Sequence, residues 1–142
     1  MTNTASLRDA LRTIPDFPEP GIQFKDITPI LGDPDLLATA LNALADPYES
    51  MDITKVVGIE ARGFLLGPLL AQRLNAGFVP IRKEGKLPGD TYAASYELEY
   101  GTDTIEMHTD GLDSSDRVLI HDDLLATGGT AAAAARLVRM AN

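Results

Sequence analysis

Arg117-Val118-Leu119-Ile120-His121-Asp122-Asp123-Leu124-Leu125-Ala126-Thr127-Gly128-Gly129-Thr130 decides how this chain is read. An apolar run ends in two adjacent carboxylates, a loop of small residues follows, and an Ala-rich stretch continues to Met140. The order predicts a buried strand, a tight turn and a helix N-terminus. Bare amides and hydroxyls at such a terminus form a phosphate site. Carboxylates just ahead of it suit a sugar diol or a bound cation. Phosphate and diol sites on one turn point to a ribose 5-phosphate ligand. The Lys and glycine spacing of a Walker loop are missing. The acidic pair precedes the glycines, so a dinucleotide-binding fingerprint is excluded too.

Working outward, Leu7, Ala10, Leu11 and Ile14 recur at helical spacing and predict an N-terminal helix ended by the Pro15–Pro20 stretch. Gly21 to Leu31 reads as irregular. Asp33-Pro34 predicts an N-cap with proline at the first helical position, followed by a helix through Leu44. Lys55–Ile59 and Gly77–Arg82 read as strands. Gly63 to Leu74 reads as a helix with Phe64, Leu65, Leu69 and Leu70 facing inward. Lys83 to Thr91 is basic and rich in Gly and Pro, which predicts a mobile loop. Alternation on both sides of Gly101 predicts an antiparallel hairpin. Strands alternating with helices imply an α/β fold with a mainly parallel sheet flanked by helices. The 142 residues are expected to form a single domain, with an N-terminal hood at 1–32 and a core at 33–142.

Composition narrows the function. A net charge of −9 excludes broad nucleic-acid binding, which needs a basic surface. The lack of cysteine excludes disulfides, thiolate metal sites and a cysteine nucleophile. No apolar run reaches spanning length and no signal pattern opens the chain, so a cytoplasmic protein without membrane association is expected. His108 and His121 lack metal-ligand spacing and read as satisfied structural histidines.

Four further segments carry candidate chemistry. Gly58-Ile59-Glu60-Ala61-Arg62-Gly63-Phe64 is a second strand-to-helix turn. Arg62 beside Gly63 can offer a guanidinium and backbone amides to a diphosphate, or simply pair with Glu60. Arg82, Lys83 and Lys86 place three cations within five residues, either a solvated loop or a lid over a polyanion. Glu97 and Glu99, two apart on a predicted strand, share a face and read as a polar surface or as an acid/base pair. Phe24, within Phe17–Pro29, serves either the core or the face of a flat heterocycle.

Together these stretches resemble the type I phosphoribosyltransferases, and closely the adenine phosphoribosyltransferase family, from about Ile14 to Met140. The resemblance rests on Phe17-Pro18-Glu19-Pro20-Gly21-Ile22, Phe24-Lys25-Asp26-Ile27-Thr28-Pro29, Glu60-Ala61-Arg62-Gly63-Phe64, Arg82-Lys83-Glu84-Gly85-Lys86-Leu87-Pro88, Tyr96-Glu97-Leu98-Glu99-Tyr100-Gly101-Thr102-Asp103 and the Asp122–Thr130 loop. It implies purine salvage: adenine and phosphoribosyl pyrophosphate give AMP and pyrophosphate, with Mg²⁺ carried on the substrate and no dedicated metal site. By position, Asp122 and Asp123 hold the ribose hydroxyls, and Ala126, Thr127, Gly128, Gly129 and Thr130 cradle the 5′-phosphate. Glu60, Ala61 and Arg62 form the pyrophosphate loop, with a cis peptide expected at Glu60-Ala61. Arg82, Lys83 and Lys86 neutralise pyrophosphate, Lys83 and Lys86 from the lid, with Tyr100 at its hinge or over the site. Glu99 is the acid/base or transition-state stabiliser. Phe24 and Leu124 sandwich the adenine while the Gln23 and Lys25 backbone reads its edge.

The resemblance also implies a homodimer. Family members continue through another strand beyond the phosphate-loop helix, so a missing C-terminal strand is expected. His121 departs from the family, which has an aliphatic residue at that position. Two alternatives stay open: a purine phosphoribosyltransferase for guanine, xanthine or hypoxanthine, and a non-catalytic regulator that binds phosphoribosyl pyrophosphate.

Overall fold

The computed structural model describes residues 2–98 and 100–141. They form two compact units, Met1–Pro47 and Tyr48–Asn142.

The first unit holds α1 (Ala5–Ala10), β1 (Arg12–Pro15), β2 (Gln23–Asp26), α2 (Thr28–Leu31) and α3 (Pro34–Ala45). The predicted N-terminal helix stops early, because Leu11 turns extended (φ −61°, ψ 123°) and Ile14 enters a strand opposite Phe24. The reason is polar. The Arg12 Nε–H donates to Asp26 Oδ2 at 2.9 Å, so β1 and β2 are tied as a ribbon. The Thr28 amide, the Arg12 guanidinium and the Thr28 hydroxyl, in that order, hold the Asp26 carboxyl down at about 2. The same pairing makes Gln23–Asp26 a strand within the stretch Gly21–Leu31, which read as irregular. Asp33 caps α3 as predicted, its carboxylate accepting the Asp35 and Leu36 amides at 2.9 and 3.0 Å.

The second unit holds β3 (Lys55–Ile59), α4 (Gly63–Arg73), β4 (Gly77–Lys83), β5 (Thr91–Glu97), β6 (Thr102–His108), β7 (Val118–His121) and α5 (Gly129–Ala141). The sheet runs β5-β6-β4-β3-β7. β4, β3 and β7 are mutually parallel, while β6 pairs antiparallel with β4 and β5. The sheet is therefore mixed, parallel where the strand-to-helix turns lie and antiparallel at the predicted hairpin. Val57, Ile59, Val79, Ile81, Ile105 and Met107 build the core against Ala133, Ala134 and Leu137 of α5. Alanines let this helix lie close to the sheet.

The inward face of α4 differs from the prediction. Leu70 is buried, but Leu65 and Leu69 are 46% and 39% exposed. Gly63, Gly67 and Ala71 face inward instead. The Phe78 ring fills the space over Gly58 and Gly67, where an added Cβ at either would come within 2.6 Å of the ring. Phe64 meets the same ring edge-on at 5.9 Å. Ring volume, not hydrophobicity, chooses which stripe of the helix faces the sheet. Among the described residues no helix is long and apolar enough to cross a membrane.

Candidate active site

The parallel strands β3 and β7 end side by side, Gly58 pairing with His121. Both chains then turn into helices, Glu60–Arg62 leading to α4 and Asp122–Gly128 leading to α5. The two turns abut at Gly63. A Cβ there would lie 3.2 Å from the His121 carbonyl and 3.3 Å from Asp122 Oδ1, so a side chain makes the turns give by a few tenths of an ångström. The carboxyl ends of parallel strands are where open sheets bind ligands. Here they open a cavity of about 380 Å³ lined by Ile59, Ile120, Asp122, Leu124, Leu125, Ala126, Thr127, Gly128, Thr130 and Ala131. Gly128 has φ +88°, a backbone that favours glycine, and its carbonyl accepts the Ala132 amide at 2.9 Å. Thr127 Oγ1 accepts the Gly129 amide at 3.4 Å.

The carboxylate pair is tense. Asp122 Oδ1 accepts the Asp123 amide at 2.8 Å. Burial, with the neighbouring Asp123, pushes the Asp122 carboxyl up to about 6 despite Arg62. Asp123 Oδ2 lies 3.0 Å from Arg62 Nε. Arg62 therefore crosses from its own turn to the Asp122–Gly128 turn rather than pairing with Glu60. The Glu60-Ala61 peptide is cis, as expected.

Glu60 serves the basic loop instead. Its Oε1 accepts the Lys83 amide at 2.6 Å and lies 3.4 Å from Arg82 Nε, while Oε2 accepts from Lys86 Nζ at 3.2 Å. Burial opposes ionisation there, and these partners together hold the carboxyl below its ordinary range. Lys83 Nζ lies 3.3 Å from Asp103 Oδ2, which also accepts from the Tyr96 hydroxyl at 3.2 Å. Each cation assigned to the diphosphate thus has an internal carboxylate beside it. Two further carboxylates take part, Asp103 beside Lys83 at the end of β4 and Glu106, which accepts the Gly85 amide of the Glu84–Asp90 loop. Both come from β6. Sequence reading missed them because alternation marks a strand face without saying what packs on it.

Within the second unit, Glu97 and Tyr100 do not line the cavity. Tyr100 is 88% exposed in the β5–β6 turn, and Glu97 ends β5 at the surface. Glu99 lies outside the described residues. Gln23, Phe24 and Lys25 lie on β2 of the first unit, with the Phe24 ring edge-on to Phe17 at 5.2 Å and Lys25 Nζ donating to Thr13 Oγ1 at 2.7 Å. His121 is buried, but the expectation of a satisfied histidine fails: Nε2 has no hydrogen-bond partner. Burial lowers its pKa, against the pull of Asp123. His108 does have a partner, its Nε2 contacting the Pro88 carbonyl at 2.8 Å.

The chain is similar in sequence and fold to known proteins. A family model described as a phosphoribosyl transferase domain matches residues 35–142. An adenine phosphoribosyltransferase of Myxococcus xanthus is 57% identical over 137 residues, 96% of this chain and 74% of that relative. The crystal structure of adenine phosphoribosyltransferase from Rhodothermus marinus superposes with a TM-score of 0.91 at 66% identity, covering 96% of this chain and 77% of that one. The enzyme of Saccharomyces cerevisiae, complexed with adenine and D-2,5-dideoxy-2,5-imino-altritol 1,6-bisphosphate, gives a TM-score of 0.91 at 44% identity, with 96% and 80% covered. With paired strand-to-helix turns, an acidic pair ahead of a small-residue phosphate loop and this degree of identity, the chain belongs to the phosphoribosyltransferase family.

Proposed function

We propose that this chain is a purine-salvage enzyme that transfers the 5-phosphoribosyl group from phosphoribosyl pyrophosphate to adenine, giving AMP and pyrophosphate. One observation carries the site: the Arg62 turn abuts the Asp122–Thr130 turn, which lines the cavity, and Arg62 and Asp123 are in contact. Asp122 and Asp123 take the ribose hydroxyls, and Ala126 to Thr130 take the 5′-phosphate with backbone amides and threonine hydroxyls. Glu60, Ala61 and Arg62 receive the pyrophosphate. Arg62 leaves Asp123 for that anion, which frees the carboxylate for the diol. Arg82, Lys83 and Lys86 neutralise the departing charge, with Tyr100 beside the lid.

The C1–oxygen bond to pyrophosphate breaks as the C1–nitrogen bond to adenine forms, through a ribose with oxocarbenium character. The proton leaving the base nitrogen passes to Glu99. Positioning, charge neutralisation and exclusion of water do the work, and no covalent nucleophile is needed. The family resemblance implies Mg²⁺ carried on the substrate's own oxygens and water, where it would offset diphosphate charge. Gln23, Phe24, Lys25 and Leu124 are assigned to adenine on the family resemblance, as are the homodimer and the cytoplasmic location.

The experiment supplies phosphoribosyl pyrophosphate, Mg²⁺ and each purine base in turn and measures nucleotide formed. AMP from adenine is expected. Nucleotide only from guanine, xanthine or hypoxanthine overturns the choice of base. No nucleotide, despite measurable binding of phosphoribosyl pyrophosphate, favours the regulator.

A further inference from the structure

Both ends of the basic loop run to one buried carboxylate that no step above uses. Glu106 lies in the middle of β6 and is 8% exposed. It pairs across the sheet with Arg82 on β4 and Ala93 on β5. Its Oε1 accepts the Gly85 amide at 2.8 Å, and its Oε2 accepts the Thr91 hydroxyl. Gly85 stands where the loop begins and Thr91 where it ends. An ionised carboxylate only accepts, and an amide and a hydroxyl are suited donors. Hydrogen bonds to a charged acceptor are the stronger kind. The Thr91 and Gly85 bonds hold the carboxyl below its ordinary range against the opposing effect of burial.

The neighbours of Glu106 act on the same loop. The Thr104 carbonyl accepts the Glu84 amide at 3.0 Å, His108 Nε2 contacts the Pro88 carbonyl at 2.8 Å, and the Thr109 amide donates to the Asp90 carbonyl at 3.1 Å. A buried charge on a strand carries a desolvation cost that a threonine or valine there avoids. What Glu106 does that those residues cannot is accept from both ends of one loop.

We propose that Glu106 is a positioning residue for phosphoribosyl transfer: by clasping Gly85 and Thr91 it closes the base of the 84–90 loop, so that Arg82, Lys83 and Lys86 present their charge to the pyrophosphate. This rests on the phosphoribosyl-transfer reading above. Glu106 touches no substrate and acts through the loop.

Three variants test it. E106A removes both bonds, T91V removes one, and E106Q keeps an oxygen for the Gly85 amide and turns its own amide toward the Thr91 oxygen. E106A is expected to raise KM for phosphoribosyl pyrophosphate about tenfold and leave KM for adenine within about twofold, with T91V intermediate and E106Q near wild type. In substrate-free protein, tryptic cleavage after Lys86, followed by mass spectrometry, is expected to run about fivefold faster in E106A and T91V and at the wild-type rate in E106Q. Equal changes in both KM values, or a lower Tm with unchanged Lys86 cleavage, overturn the proposal and leave Glu106 a structural residue. If E106A does not fold, T91V and E106Q decide the question alone. If wild-type protein forms no AMP, the transfer reading fails separately, and cleavage at Lys86 still decides whether Glu106 clasps the loop.

Discussion

The Asp122–Gly128 turn and the Glu84–Asp90 loop, both assigned above to an anionic substrate in the proposed function, are built by opposite routes. The turn is local. Its carboxylates, hydroxyls and glycines are consecutive, and the end of β7 and the start of α5 hold them in place. The loop is remote. Its anchors are Glu60 on a different turn and Thr104, Glu106, His108 and Thr109 on or just beyond β6. The two regions also store charge differently. Burial raises Asp122 to about 6, so the turn is electrostatically uncomfortable at neutral pH. Glu60 and Glu106 are held low, so the loop is comfortable there. The difference teaches that a turn with adjacent, partly buried carboxylates can carry frustration, while a loop whose carboxylates find donors and cations is anchored without it.

The sharpest way to break this contrast is at Asp123. D123N is expected to weaken phosphoribosyl pyrophosphate binding about 100-fold, measured by calorimetric titration, with Tm little changed because its partner Arg62 is partly exposed. G63A attacks the contact between the turns. The added Cβ presses on the His121 carbonyl, so a loss of about 1–3 kcal/mol in stability is expected, with about a tenfold fall in kcat/KM. K86M removes one cation from the loop and is expected to raise KM for phosphoribosyl pyrophosphate about fivefold, with Tm little changed, since Lys86 is half exposed and Glu60 keeps the Lys83 amide as a partner.

The smallest effect tests the frustration itself. A carboxyl raised from 3.8 to about 6 stabilises the fold, relative to its ionised form, below its unfolded pKa, and that contribution is lost as pH rises through about 6. D122N should therefore match wild type in Tm near pH 4 and exceed it above pH 7 by an amount worth about 1 kcal/mol, discounted for partial exposure. It should bind phosphoribosyl pyrophosphate more weakly at the same time. A D122N protein less stable than wild type at pH 8 removes the frustration from the comparison.

Much of this was legible in the chain. β3 runs Lys55–Ile59 as read, because a short β-branched apolar run beside a helical pattern has few other uses. Asp33 caps α3 because its side chain reaches amides two and three residues on, a strictly local event. The phosphate-type turn was readable for the same reason. What was not legible depends on partners distant in sequence. Ile14 left its helix because Arg12 found Asp26. Leu65 and Leu69 turned outward because Phe78, on another strand, claimed the space over two glycines. Arg62 chose Asp123 over its near neighbour Glu60, and Glu60 chose the loop.

The sequence by itself determined the α/β alternation, the order of the strand-to-helix turns and the chemistry each turn can offer, since turn conformation and helix-terminus amides depend on residues within a few positions. Only the tertiary structure decided that the Arg62 and Asp122 turns meet at Gly63, that His121 is buried with an unpartnered nitrogen, and that Glu106 gathers both ends of the basic loop. Those outcomes turn on volume, burial and charge pairing between segments tens of residues apart, quantities that exist only once the sheet has assembled.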